Sequence, residues 1–181
     1  MLALLVTLML LLFQQRGAAP SKEASEEAVL WARILEVNLP HQTLQADWTQ
    51  CKHSPLLEED LHSSGKLWLR QPDGLRWETL SPVRRLTVLN GTEPRGRFRM
   101  PTEKDFRMSL VQKDQQIIVQ LQPLRRDLKQ ALGRIEVEVN RESLLLETVT
   151  LTGTEGDWTR IQFQNVVRDA VLPDALFAKE N

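Results

Sequence analysis

The sequence predicts a mainly β protein with some α content, in which one antiparallel sheet curls into an open, incomplete barrel after an N-terminal helix. Apolar residues recur at helical spacing only near the start of the chain, and from residue 44 onward their period becomes two. Short strands then follow one another with turn residues between them. That pattern is typical of hairpins and differs from the long crossovers of βαβ units.

The predicted helix runs from Pro20 to Val37. Ser21 or Ser25 can cap its first turn, and acidic residues in the early turns suit the positive end of the helix dipole. Its apolar residues form one stripe at helical spacing: Ala24, Ala28, Trp31, Ile34 and Leu35. The segment Asn38-Leu39-Pro40 is expected to end the helix, because the residue before a proline disfavours helical geometry.

Alternating apolar and polar residues predict the strands, at 44–49, 66–70, 75–79, 84–89, 106–111, 117–121, 133–140, 144–152 and 158–164. Pro72-Asp73-Gly74 and Asn90-Gly91 have the residue types that tight turns require. Residues 127–132 fit either a helical turn or an irregular connection. Because several strands are apolar on one face only, the curled sheet is expected to have an apolar concave side.

The length of 181 residues predicts one domain, residues 20–181, preceded by a signal peptide over residues 1–19. The apolar run from Leu2 to Phe13 is shorter than the about 20 residues that cross a bilayer, and Gly17-Ala18-Ala19 provides small residues near a cleavage site. A buried N-terminal helix is the alternative interpretation. We therefore expect an exported, periplasmic protein without a stable membrane anchor.

Composition and motifs argue against several other functions. The net charge of −1 gives no reason to expect a nucleic-acid partner. Cys51 is the single cysteine, so no internal disulfide can form, and its spacing to His53 and His62 matches no zinc pattern. No catalytic triad has a supporting local motif. The sequence therefore predicts neither an enzyme, nor a metal site, nor a cofactor.

Two surface motifs each have two interpretations. The basic cluster Arg95-Gly96-Arg97-Phe98-Arg99 fits a solvated loop, or a docking site for an acidic partner or for lipid headgroups. Asn90-Gly91-Thr92 fits a glycosylation acceptor, although the predicted turn explains the same residues.

The segment Gly65–Glu78 resembles the most recognisable part of the LolA-type outer-membrane lipoprotein carriers. It has a glycine, an apolar strand containing tryptophan, a proline at Pro72 and a further tryptophan at Trp77. Similarity continues in order and spacing over most of the mature chain, in the segments 44–50, 81–91, 127–137 and 158–177. The order and spacing of these segments carry the resemblance, because no one of them is specific alone.

The resemblance implies a soluble, monomeric periplasmic chaperone with the fold of an incomplete barrel. Helices cover its apolar concave face, which receives acyl chains of lipoproteins or of another lipid. Its partners would be an inner-membrane transporter that delivers the cargo and an outer-membrane acceptor that receives it. An envelope binding or sensor module of the same fold, without net transport, is the alternative.

Apolar residues on the predicted strands and helix are candidates for the lipid-binding wall, although core packing explains each of them about equally well. They are Trp31, Ile34, Leu35, Leu44, Trp48, Trp68, Leu75, Trp77, Val88, Phe106, Met108, Ile118, Val137, Val149, Ile161 and Phe163. The stripe of Trp31, Ile34 and Leu35 would cover the mouth of the cavity. Arg70, Arg76 and Arg97 are candidates for contacts with a lid or a partner.

Three departures from the family pattern predict a divergent member. Gln71 replaces the arginine that the family has before the proline, and Arg70 lies one position earlier, on the other face of a strand. The segment Thr92–Lys104 is shorter than the family's region of lid helices. The chain also stops shortly after Phe177, where the family continues with a further strand or tail.

Overall fold

A computed structural model of the chain describes residues 26–38, 43–70, 74–89 and 105–178. The predicted signal peptide, residues 1–19, lies outside these ranges. The helices are α1 (Glu26–Asn38), α2 (Arg126–Ala131) and a final 3₁₀ helix (Asp174–Phe177). The strands are β1 (Thr43–His53), β2 (Leu61–Arg70), β3 (Gly74–Ser81), β4 (Arg85–Leu89), β5 (Phe106–Gln112), β6 (Gln116–Pro123), β7 (Arg134–Asn140), β8 (Leu146–Thr152) and β9 (Trp158–Arg168).

The strands belong to one nine-stranded sheet in the order β4-β3-β2-β1-β9-β8-β7-β6-β5. The order does not return to its first strand, so the sheet is open. This result confirms the predicted fold class, an open antiparallel sheet with an N-terminal helix. Among the helices of the described ranges, none combines the length and hydropathy that a membrane crossing requires.

The described residues divide into two compact units. Of these residues, unit 1 contains α1, β5 to β8 and α2. Its core is the apolar face of the strands, where Val137 lies between Val119 on β6 and Val149 on β8. All three side chains are almost completely buried.

The opposite face of unit 1 is polar. Gln120 on β6, Glu136 on β7 and Thr150 on β8 are cross-strand partners there, and the Gln120 amide donates a hydrogen bond to the Glu136 carboxylate at 2.9 Å. The alternation predicted from the sequence is therefore present in this unit, with apolar residues inward and polar residues outward.

Asn38 attaches the end of α1 to the turn before β8. Its side-chain amide donates to the Leu144 carbonyl at 2.7 Å and to the Ile34 carbonyl at 2.8 Å, and its oxygen accepts from the Leu146 N–H at 2.8 Å. Ile34 is the buried residue of the helix. One side chain thus satisfies backbone groups at the helix end and at the strand start, where they would otherwise lack partners.

Unit 2 contains, among the described residues, β1 to β4, most of β9 and the 3₁₀ helix. Polar side chains connect its first and last strands. Asp47 on β1 accepts hydrogen bonds from Lys66 at 2.7 Å and from Asn165 on β9 at 2.8 Å. The backbone carbonyl of Thr43 accepts a hydrogen bond from the Asp169 N–H, and the Thr43 hydroxyl donates one to the Ala170 carbonyl.

Several strand boundaries differ from the predicted ones. The first hairpin is longer than expected, because β1 continues to His53 and β2 begins at Leu61. Strand β8 begins at Leu146, since Leu144 has a left-handed backbone with φ of 57°. The Asn140 side chain accepts from the N–H groups of residues 142 and 143 and shapes this turn.

Candidate functional site

Two stacked tryptophans define the apolar face of unit 2. Trp48 on β1 lies opposite Gly65 on β2, and Trp77 on β3 lies opposite Leu67 of the same strand. Their ring centroids are 4.7 Å apart with the planes inclined by 28°. Because Gly65 has no side chain, the indole of Trp48 can lie across β2 and reach Trp77. A Cβ at position 65 would be 1.8 Å from the Glu78 carbonyl oxygen and 2.7 Å from the Trp48 ring.

The stacked rings carry hydrogen-bond donors without acceptors. Trp48 and Trp77 are 2% and 1% exposed, and neither indole N–H has a partner among the described residues. A buried donor without an acceptor costs about 1–3 kcal/mol. The face is thus apolar over most of its area and has two unused donors at its centre.

The register divides the predicted lipid-binding residues of unit 2 between two faces. Leu44 and Leu75 lie on the face of the stacked tryptophans, since both are in register with Leu69. Trp68 and Val88 lie on the opposite face, because Trp68 pairs with Arg76 and Arg76 pairs with Val88. The two groups therefore do not line one surface.

Unit 1 shows a similar division. Phe106, Met108, Val137 and Val149 share its apolar face, because Met108 pairs with Leu121, which is in register with Ile135. Ile118 lies on the polar face, opposite Glu138. Phe106 and Met108 on strand β5 are half-buried, whereas Val137 and Val149 are buried. Accessible apolar surface on this face is therefore found at β5.

The remaining candidates lie on α1 and β9. Ile34 is buried, and Trp31 and Leu35 are half-buried. On β9, Ile161 and Phe163 are two residues apart and so point to the same side of the strand; Ile161 is buried and Phe163 half-buried.

Arg70 and Arg76 contact the C-terminal 3₁₀ helix. Arg70 forms an ion pair with Asp174 at 2.5 Å, and its guanidinium lies 4.3 Å from the ring centroid of Phe177. Arg76 donates to the Leu176 carbonyl at 3.1 Å. Both arginines thus bind a segment of their own chain. Arg97, the third predicted contact residue, lies outside the described residues.

Gly74 makes room for the same segment. A Cβ at Gly74 would lie 3.1 Å from the Phe177 ring, which is 2% exposed. No local sequence pattern indicates this contact, because more than a hundred residues separate Phe177 from Gly74. By contrast, the face on which Trp68 lies could have been predicted from the sequence. Strict alternation along β2 places Trp68 on the same face as Lys66 and Arg70.

Glu78 is a buried carboxylate between two arginines. Its oxygens accept from Arg84 at 2.8 Å and from Arg76 at 3.4 Å. Burial raises the pKa of Glu78, but the hydrogen bond and charge of Arg84, together with the charge of Arg76, outweigh it and hold the pKa below its usual range. Arg76 also lies over the Trp68 ring, 5.7 Å from its centroid.

The first hairpin brings together polar residues whose spacing had argued against a metal site. Cys51 is opposite His62, and Asp60 bonds to His53 at 2.7 Å and accepts from Cys51 at 3.5 Å. These contacts account for the residues as a hydrogen-bonded cluster. Across the described ranges, no group of three or more His, Cys, Asp or Glu side chains has an arrangement that could hold a metal ion.

A pocket of about 280 Å³ lies in unit 1, apart from the predicted lipid-binding residues. It is lined by residues of β5, β6 and α2 and of the segments that flank α2: Arg107, Gln122, Pro123, Leu124, Lys129, Leu132 and Gly133. Pro123 and Leu132 are buried, while Arg107 and Lys129 are exposed. The pocket therefore combines apolar walls with two cationic side chains.

The sequence model of a family described as outer membrane lipoprotein carrier protein LolA matches residues 40–93 and 98–180. The match covers well over half of the chain.

The chain belongs to the LolA family.

No match to this LolA-family protein was found among curated proteins.

Solved structures with the same fold include MucB. One MucB structure is 13% identical in sequence and has a TM-score of 0.53. The match covers 87% of this chain and 64% of the MucB chain. The matched chain in the complex of MucA and MucB from Pseudomonas aeruginosa is 15% identical, with a TM-score of 0.50. This match covers 83% of this chain and 60% of the matched chain. The chain thus spans about three fifths of the MucB chains. A LolA superfamily protein from Nitrosomonas europaea, NE2245, is 10% identical with a TM-score of 0.38. The match covers 82% of this chain and 97% of NE2245.

Proposed function

We propose that this LolA-family protein binds the acyl chains of lipoproteins, or of another lipid, in the periplasm and carries them toward the outer membrane. The match to the family of lipoprotein carriers over most of the chain carries this proposal. In this proposal, an inner-membrane transporter delivers the cargo to the protein and an outer-membrane acceptor receives it.

Apolar contact alone provides enough free energy for such cargo. Each buried methylene contributes roughly 0.8 kcal/mol, so one long acyl chain contributes on the order of 10 kcal/mol before ordering costs. No catalytic group is required. The apolar face around Trp48 and Trp77 and the apolar face around Val137 support this proposal, because both consist of buried apolar side chains.

In this proposal, cargo reaches these faces only after a change of conformation. Trp48, Leu75 and Trp77 are almost completely buried in this conformation. Phe106 and Met108 are half-buried and provide the first accessible contact. Partial exposure also suits a carrier, because cargo that is bound too tightly would not be released.

The unused indole donors favour a cargo with an acceptor oxygen near its chains. Trp48 and Trp77 each have a buried N–H without an acceptor among the described residues. The ester carbonyl that joins an acyl chain to glycerol is such an acceptor. A bond to it would recover part of the cost of burying the donors.

Quenching of tryptophan fluorescence by brominated stearate tests acyl-chain binding at this face. Because bromine quenches only nearby indoles, we expect quenching that is largely lost when Trp48 and Trp77 are both replaced by Phe. Trp68→Phe is the matched control, since Trp68 lies on the opposite face. Absence of quenching, or equal loss in the control, would contradict the proposal.

A binding or sensor module is the second candidate function. It is supported by the likeness of the fold to MucB, which has been solved in complex with MucA. Mass spectrometry of the protein purified from the periplasm separates the two functions. Co-purified lipid supports carriage, whereas a stoichiometric protein partner without lipid supports the module.

A further inference from the structure

Two cations from different elements meet at the pocket of unit 1. Arg107 is on β5, and Lys129 is on α2. Gln122, the cross-strand partner of Arg107, adds an amide to the same wall. Among the residues that the structure describes, no acidic side chain lines the pocket. Its polar groups are therefore suited to an anion.

The described acids nearest to the pocket along the chain pair with cations other than Arg107 and Lys129. Arg125 lies 3.7 Å from Asp105 and also pairs with Asp127, while Arg134 pairs with Glu136. Within the described ranges, neither Arg107 nor Lys129 forms an ion pair. Their charges thus remain available to a ligand.

The pocket also has apolar walls. Pro123 and Leu132 are buried beneath it, and Leu124 is 44% exposed beside it. A fully hydrated ion gains nothing from such walls, whereas a ligand with a charged group next to hydrocarbon matches both parts. A volume of about 280 Å³ exceeds what a carboxylate alone would fill.

We propose that this pocket binds a phosphate group, and that the phosphate is the headgroup of a lipid. The inference rests on the proposed function, because it assigns to the same protein a site for the polar end of its cargo or of the membrane lipid it meets. Arg107 and Lys129 both donate to phosphate oxygens, where charge-assisted bonds are strong. The apolar walls contact the first carbons of the chains.

Titration of the full chain with three soluble probes tests the site: dihexanoylphosphatidylglycerol, inorganic phosphate and the uncharged octyl glucoside. We expect the phospholipid to bind, with affinity reduced about tenfold in Arg107→Gln and in Lys129→Gln, since each loses a charge-assisted bond. Added salt should weaken binding. Lys113→Gln, an exposed lysine at the β5–β6 turn, is the matched control and should bind as the parent does.

The outcomes distinguish a lipid headgroup from free phosphate as the ligand. They also distinguish failure of the phosphate site from failure of the acyl-carrier function. Binding of inorganic phosphate alone, weakened by the same variants, supports a phosphate site and assigns it to the free ion. Binding of neither phosphate probe, equal binding of octyl glucoside, or an equal loss in Lys113→Gln overturns the site. If brominated stearate fails to quench the tryptophans while phosphate binding persists, the acyl-carrier function fails and this site stands.

Discussion

At the scale of the residue, Gly65 determines where the large aromatic side chains can lie. It faces Trp48 across the β1–β2 pair, and the absent side chain lets the indole cross the strand toward Trp77. The Glu78 carbonyl occupies the remaining space. A central glycine normally weakens a strand, so its presence here reflects the packing of the ring.

Gly65→Ala is expected to lower the free energy of unfolding by at least about 1–3 kcal/mol, because the new Cβ overlaps both a carbonyl and the Trp48 ring. Urea denaturation measures the change. Ser64→Ala at the neighbouring position is the control and should have a small effect. Equal stability of Gly65→Ala and the parent would contradict the packing described here.

Glu78 makes stability depend on pH. Its pKa is lowered in the folded protein, so its ionised form adds stability above the usual pKa of a glutamate, and this contribution is lost as the pH falls through the folded-state pKa. We therefore expect the difference in unfolding free energy between the parent and Glu78→Gln to be largest near neutral pH and to shrink in acid. Urea denaturation across pH 3–7 would show this convergence, and a constant difference would refute it.

At the scale of the element, the C-terminal 3₁₀ helix is attached to β2 and β3 by contacts of unequal strength. The ion pair of Arg70 involves Asp174, whose side chain is 99% exposed, and exposed pairs contribute about 0–1 kcal/mol. Phe177 is buried against Gly74 and Arg70. Burial of the ring therefore dominates the attachment.

Phe177→Ala should destabilise the protein by about 3–5 kcal/mol, since it removes a buried aromatic side chain. Asp174→Asn removes only the exposed ion pair and should cost less than about 1 kcal/mol. Thermal or urea denaturation of the two variants compares these costs. Similar losses in both would mean that the ion pair, and not the ring, attaches the segment.

The strands themselves follow from local sequence, but their faces depend on pairing. In β7, Ile135, Val137 and Val139 alternate with glutamates, and the structure buries the three apolar residues as the pattern predicts. In β2, alternation places Trp68 with Lys66 and Arg70, so its aromatic character alone was a poor guide to its face. The position of each strand and the alternation along it were thus predictable, whereas the pairing that joins faces of different strands into one lining was not.

At the scale of the whole molecule, cargo binding should appear as global stabilisation. A ligand present at 100 times its Kd adds about 2.7 kcal/mol to a protein that binds it only when folded. For a chain of this size that corresponds to a rise in Tm of about 5–10 °C. Stearate should produce such a shift, and octanoate at the same concentration a smaller one, because it buries fewer methylenes. Calorimetry that shows no shift with stearate would count against an acyl-chain carrier.

The class of fold, the order of the strands along the chain and the resemblance to the lipoprotein carriers were all predictable without coordinates. Period-two alternation and turn chemistry are local properties, and the family resemblance depends on the order and spacing of segments, so both can be detected without coordinates. The strand predicted at 133–140 is an example, since β7 spans Arg134–Asn140.

The faces that different strands share, and the contacts between distant segments, are properties of the folded chain that no local pattern predicts. Arg70 and Asp174 are 104 residues apart, and Arg76 and Leu176 are 100 apart, so no local pattern connects them. The pocket between Arg107 and Lys129 likewise joins a strand to a helix further along the chain. Cross-strand register and long-range packing are set by the whole chain folding at once, and a sequence pattern read along one element does not contain them.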